Sequence, residues 1–286
     1  MKNTRRIAFS LALVLFIGFN SATSILIARG EDAKDSSKVN NIEKAPTPKA
    51  SAATWDYDSP DAFTFRDVAI SKDGNYIVAG GHKDYSDDNL LHFWHKTDVT
   101  PIWSFGVNVN EDIDHVGISG DGSDIVAGSS TGDLWVFGSG SSSPVQNYSL
   151  TDSSIYDVQV ASSGNYFVVA ADSHAYFFDM SKSAAEWNIG TTDAKVDISA
   201  DGSAFVVGDG TSLKYYTFSG GSVAETWGAS PGTINSLALS DDGKFVVVGL
   251  SSNNIRVYDD SGNGAGTFDT TASITEVDIS DNGAYI

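Results

Sequence analysis

Two histidines three residues apart, His92 and His95 in LHFWH, are the first side chains in this chain with metal-binding chemistry. Side chains alternate between faces along a strand, so a spacing of three sends the pair to opposite sides and argues against a shared ion. His82 precedes them in a loop, and His115 and His174 stand alone. Oxygen-rich stretches come second: DYSDDN (Asp84 to Asn89), NEDID (Asn110 to Asp114) and DDSGNG (Asp259 to Gly264). Hard cations are held by oxygens of this kind, yet none of the three follows the EF-hand spacing with its closing Glu. Polar turns explain them, so no cofactor is expected, and calcium is the one ion left open. The phosphate loop G-x-x-x-x-G-K-[ST] does not occur. The absence of cysteine removes disulfides, thiolate metal sites and a cysteine nucleophile.

The elements that must position such residues form a repeat. DVAISKDGNY begins at Asp67 and returns as HVGISGDGSD, DVQVASSGNY, KVDISADGSA, SLALSDDGKF and EVDISDNGAY. The turn glycines Gly74, Gly122, Gly164, Gly202, Gly243 and Gly283 are 48, 42, 38, 41 and 40 residues apart. A period near forty built from short strands predicts a β-propeller rather than a helical solenoid. In each unit a first strand such as VAIS ends at a tight turn whose glycine takes positive φ. The second strand (YIVAG, DIVAG, YFVVA, AFVVG, FVVVG) is almost wholly apolar, as in a strand covered on both faces. A third strand ends in aromatics, and a fourth carries one large ring: Trp103, Tyr148, Trp187, Trp227 or Phe268. One such ring per blade suits core packing.

The fold class is therefore all-β, a propeller of four-stranded blades over residues 55–286, with five complete blades and the start of a sixth. Trp55 stands 19 residues before Gly74, the interval that also separates Trp103 from Gly122. TWDY thus reads as an N-terminal strand that closes the last blade, sparing the ring an unpaired edge. The sixth unit breaks off at Ile286, so the domain reads as incomplete at its C-terminus.

These units resemble WD-repeat and YVTN-type β-propeller proteins from Trp55 onward. The Trp-Asp slot of WD repeats is filled by Trp94-His95, Phe137-Gly138, Phe178-Asp179, Tyr216-Thr217 and Tyr258-Asp259. The upstream Gly-His dipeptide, which feeds that family's His-Asp-Ser-Trp hydrogen-bond network, is absent from every unit. The resemblance implies the propeller fold and leaves function to particular sites, since propellers host scaffolds, lectins, dehydrogenases and hydrolases. The pattern TPIW, AAEW and AETW is similar to repeats of pyrroloquinoline-quinone dehydrogenases, without further features that would hold the cofactor.

One unit is longer than the rest. Gly74 to Trp94 is 20 residues, against 14 or 15 from turn glycine to third-strand aromatic in later units. The extra residues fall in the loop between second and third strands and in the loop joining one blade to the next, which emerge on the same face. Insertions confined to one face of a repeat protein commonly build a binding surface. The expected site is an acidic platform on the first blade: Asp84, Tyr85, Asp87, Asp88, Glu111, Asp112 and Asp114.

Charge and the N-terminus set the compartment. Residues 1–54 carry 8 Lys/Arg and 4 Asp/Glu, a net of +4; the rest carries 9 and 33, a net of −24, summing to −20. So acidic a body repels phosphate backbones, which excludes nucleic acid as a partner. MKNTRR followed by the apolar run from Ile7 makes residues 1–30 a signal peptide or N-terminal membrane anchor. Residues 31–54 are polar and read as a flexible linker. The function expected is that of an exported, non-catalytic propeller, secreted or held to the membrane by its N-terminal segment alone, that binds a protein or glycan on one face. The alternative is a propeller enzyme, of quinone-dehydrogenase or hydrolase type, with part of its catalytic set beyond Ile286.

Overall fold

In the computed structural model, residues 63–83, 90–106 and 111–286 are described, together with short strands at Ile7–Ala8, Leu26–Ala28, Ile42–Lys44 and Asp56–Tyr57. Most of residues 1–54, expected to be a signal peptide or anchor and a linker, and Trp55 lie outside the described residues. Asp56–Tyr57 pairs with Ile7–Ala8, and the Tyr57 ring packs edge-on against Trp94 and Phe65 of the first blade. No helix is assigned among the described residues, and none is long and apolar enough to cross a membrane.

Five four-stranded antiparallel sheets follow one another along the chain, each with its strands in sequence order. The first blade is built from Phe63–Ile70, Tyr76–Lys83, Leu91–His95 and Trp103–Phe105. The second opens with Ile113–Ile118, the third with Ile155–Val160, the fourth with Ala194–Ile198 and the fifth with Ile234–Leu239. This is the β-propeller of four-stranded blades expected from the repeat. Beyond the fifth blade, the turn at Ser280 repeats the bonds of earlier turns, with Gly283 N–H donating to Ser280 and Ser280 N–H to Tyr285. Val277 there is buried against the fifth blade.

The core lies between blades. One apolar cluster joins Val78, Phe93 and Trp103 of the first blade to Ile113, Val116 and Phe137 of the second, and similar clusters fill the later seams. All five Trp-Asp slot residues, Trp94, Phe137, Phe178, Tyr216 and Tyr258, are buried in these seams or on the outer side of the first blade. The fourth-strand rings bind forward: Trp103 Nε1 donates to Ser139 O (2.9 Å), Tyr148 Oη to Lys182 O (2.8 Å) and Trp227 Nε1 to Asp260 O (3.0 Å), each in the next blade. At the same depth the second strands carry Gly80, Gly128, Gly208 and Gly249; the first three face an isoleucine of the next first strand, Ile113, Ile155 and Ile234, and Gly249 faces Ile274 beyond the fifth blade. The third blade has Ala170 in that place, and its cluster partner is the small Ala194.

The Asp-Gly turns define one face of the ring. Gly202, at φ 76°, takes the left-handed conformation expected of it. These turns are also laced together. Asp73 N–H donates to Gly120 O, Gly120 N–H to Ser162 O, Ser163 N–H to Ala200 O, Ala200 N–H to Asp241 O, and Asp242 N–H to Asp281 O. Across the centre, Lys72 forms ion pairs with Asp241 and Asp281. The opposite face, formed by loops between second and third strands and between blades, carries the expected site.

Candidate functional site

The first blade stands above its neighbours on the loop face. Phe63–Ile70 and Tyr76–Lys83 each run 8 residues, whereas the corresponding strands of the second, third and fifth blades run 6. Part of the insertion read as loop is thus extra hairpin, paired up to Phe63 and Lys83. The register slips between Phe65 and Asp67, and a bulge of this kind re-aims the residue it carries. That residue is Arg66. Its Nη2 donates to Asp112 Oδ2 at 2.8 Å, and its Nε lies 3.2 Å from Asp114 Oδ1. His82 Nδ1, on the extended second strand, lies 2.5 Å from Asp112 Oδ1. Burial pushes the Asp114 carboxyl above its ordinary range, against the pull of the Arg66 guanidinium.

The expected acidic platform is therefore a mixed-charge rim where it can be seen. Asp112 and Asp114 meet, joined by Arg66 and His82. Glu111 is turned inward and buried, accepting a 2.6 Å hydrogen bond from Thr131 Oγ1 of the second blade. Asp84, Tyr85, Asp87 and Asp88 lie outside the described residues. Sequence reasoning missed Arg66 and His82, because their pairing depends on hairpin length and on the blade-to-blade approach across 46 and 30 residues.

A carboxylate network in the third blade occupies the place of the loop-to-strand clasp. Asp152, on the loop entering that blade, accepts from Ser173 N (2.8 Å), Ser173 Oγ and Tyr176 Oη, with His174 Nδ1 at 3.3 Å. Burial works to raise its pKa, but these donors together hold it well below the usual carboxylate range. Serine, histidine and aspartate meet here without the order of a catalytic triad. The Ser173 proton goes straight to Asp152, and Nδ1 is the imidazole nitrogen facing both partners. The cluster clasps loop to strand.

The first strands of the third, fourth and fifth blades, with Glu276 to Ile279 beyond them, line a cavity of about 510 Å3. Asp67 Oδ2 accepts the Val116 N–H of the next blade at 2.9 Å, Asp157 Oδ2 that of Val196 at 3.2 Å, and Asp197 Oδ2 that of Leu239 at 2.6 Å. These donors sit on the inner edge of a sheet, where no further strand pairs with them. In the fifth blade Ser236 Oγ plays the same part, accepting from Val277 N at 3.2 Å. Burial pushes Asp67 and Asp157 up to about 6 and Asp197 up to about 7, against the bonds from those N–H groups. Burial also pulls His115 down to about 4.

The two strand histidines fall on opposite faces as expected. His92 Nδ1 pairs with Ser104 Oγ at 2.7 Å and its ring lies against Trp94, while His95 packs on Tyr76. Asp259 spends its carboxylate on its own turn, accepting from Ser261 and Asn263. Among the described residues no group of three or more His, Asp or Glu is placed to hold a metal ion.

Repeated four-stranded blades with an aromatic closing each third strand define a propeller-repeat protein. Residues 59–95 and 221–259 match the family model for the WD domain, G-beta repeat. The first match takes in the three opening strands of the first blade, and the second ends with the third strand of the fifth. The protein is a β-propeller, and these two stretches of it are similar to WD repeats. No match to the chain is found among curated proteins.

Proposed function

We propose that this protein is an exported binding scaffold which engages a protein or glycan partner on the loop face of its first two blades, without catalysis. WD-repeat propellers are protein-interaction scaffolds, and the fold supports that coarser reading. The observation that carries the finer one is the lengthened first-blade hairpin. It carries Phe63, Thr64 and His82 past the strand ends of the third blade and brings His82 onto Asp112, beside Arg66 and Asp114, so that a partner meets this charged rim first. Export rests on the basic and apolar character of residues 1–30.

The test exchanges His82 to Asn89 for a short turn of the kind found in the second blade. Folding, followed by the thermal transition, is expected to survive. Binding of a partner recovered by crosslinking from the extracellular medium is expected to be lost. A variant that folds and binds as before refutes the assignment. A calcium titration of the full chain addresses the loop oxygens separately: a large rise in the transition temperature would assign them to a cation, and its absence would leave them as polar turns.

A further inference from the structure

The binding rim lies on the loop face, and the outer flank of the second blade takes no part in it. The fourth strand there, Gln146–Ser149, is the edge of its sheet. Asn147-Tyr148-Ser149 on that strand is the one place in the chain where asparagine is followed two residues on by serine or threonine, the pattern that accepts an N-linked glycan. We propose that Asn147 is glycosylated and that the sugar covers an otherwise unguarded edge of the second blade. Glycosylation there rests on the export proposed above, since the chain meets a transferase of this kind only on leaving the cytoplasm.

Local geometry leaves the acceptor free. Asn147 and Ser149 are exposed on either side of the buried Tyr148. Gln146 Nε2 donates to the Asn147 backbone oxygen at 3.3 Å, and among the described residues nothing bonds to the Asn147 side-chain amide. Other asparagines are spent on the fold: Asn75 Nδ2 donates to Asp73, Asn235 Nδ2 to Ile274 O and Asn263 Nδ2 to Asp259. A sugar on Asn147 Nδ2 therefore displaces no contact. The step joins that nitrogen to the anomeric carbon of an oligosaccharide carried on a polyprenyl diphosphate. The bond from that carbon to the diphosphate breaks, the lipid diphosphate leaves, and the amide gives one proton to the transferase.

The edge itself shows what a cover would do. An outer strand offers unpaired backbone groups to any passing strand, and proteins blunt such edges by shortness, charge or a bulge. The outer strand of the first blade has 3 residues. Glu186 borders that of the third, and those of the fourth and fifth carry Glu225 and Asp269 together with a register shift each. From Val145 to Thr151 the second blade has no charged residue, its ladder runs without a shift, and Val145 is 69% exposed. A bulky, hydrated glycan rooted in the middle of that strand blocks approach along it.

Peptide mass spectrometry of the full chain recovered from outside the cells that make it is expected to find sugar residues on Asn147. An unmodified Asn147 there overturns the proposal. A chain found only in the cytoplasm overturns export instead. The site is then read behind the signal peptide of a secreted protein, by translation into microsomes that hold the transferase and its lipid-linked donor. A gel shift removed by a glycosidase, kept in Ser149→Thr and lost in Asn147→Gln and Ser149→Ala, upholds the acceptor. An imported, protease-protected chain without that shift overturns it. Sedimentation reads the covering role: Asn147→Gln is expected to self-associate with a Kd lowered roughly tenfold or more against the glycosylated chain, about the worth of one buried valine. Equal self-association overturns that role, and Ser149→Ala serves the same comparison if Asn147→Gln does not fold.

Discussion

Replacing Gly128 by alanine should wedge the seam between the second and third blades. A Cβ there would lie 2.7 Å from Ile155 Cγ2 and 3.2 Å from Val158 Cγ2. Ordinary carbon contacts are about 3.5–4.0 Å, so the seam must give by most of an ångström. Overpacking on this scale costs about 1–3 kcal/mol, and replacing a strand glycine returns about 0.5–1 kcal/mol. The net expectation is a loss of about 1–2 kcal/mol, or about 2–8 °C in Tm for a domain of this size. Ile155→Ala alone should cost about 2–5 kcal/mol through its cavity. The double variant copies the pairing of Ala170 with Ala194 that already fills the next seam. It should cost at least about 1 kcal/mol less than the sum of the singles. Urea denaturation of the four proteins in a double-mutant cycle measures that coupling. Effects additive within about 0.5 kcal/mol would show that the two side chains do not share the space, and the account of the seams would fail.

Asp152→Ala should cost about 2–4 kcal/mol by stranding the Ser173 and Tyr176 donors, read as a lower urea midpoint at pH 7. Because the Asp152 pKa is depressed in the fold, its contribution is present above about pH 4 and lost as acid protonates it below that. Trp227→Phe keeps the ring and removes the Nε1 bond to Asp260; a loss of about 1 kcal/mol is expected from thermal unfolding. Arg66→Ala removes a half-exposed ion pair, so stability should move by less than about 1 kcal/mol while partner affinity drops, as a binding isotherm would show.

What could be read from the sequence was whatever repeats locally. Ser71, Asp73 and Gly74 form a turn whose hydrogen bonds close within six residues, from Ser71 to Tyr76, so its pattern is visible without knowing the ring. The fourth-strand rings were legible for the same reason. Their registers were not: Trp103 and Trp187 stand opposite Phe93 and Phe177, whereas Tyr148 and Phe268 stand opposite Leu134 and Ile255. The site was half legible. Length differences located the raised blade, but a run of carboxylates says nothing of its counter-ions. Arg66 reaches Asp112 only because a bulge turns it outward, and Glu111 is spent on Thr131. The inner carboxylates escaped notice because an Asp opposite a neighbour's bare N–H looks, in one dimension, like any polar strand position.

The lacing of the Asp-Gly turns has a consequence for damage. Each of these backbone bonds joins segments about forty residues apart, so the turn face acts as a hoop stitched from many separate pieces of chain. A protease that cuts a loop on the other face severs one covalent link and leaves the stitching whole. The cleaved protein should still migrate as one particle under native conditions and separate into fragments only once denatured.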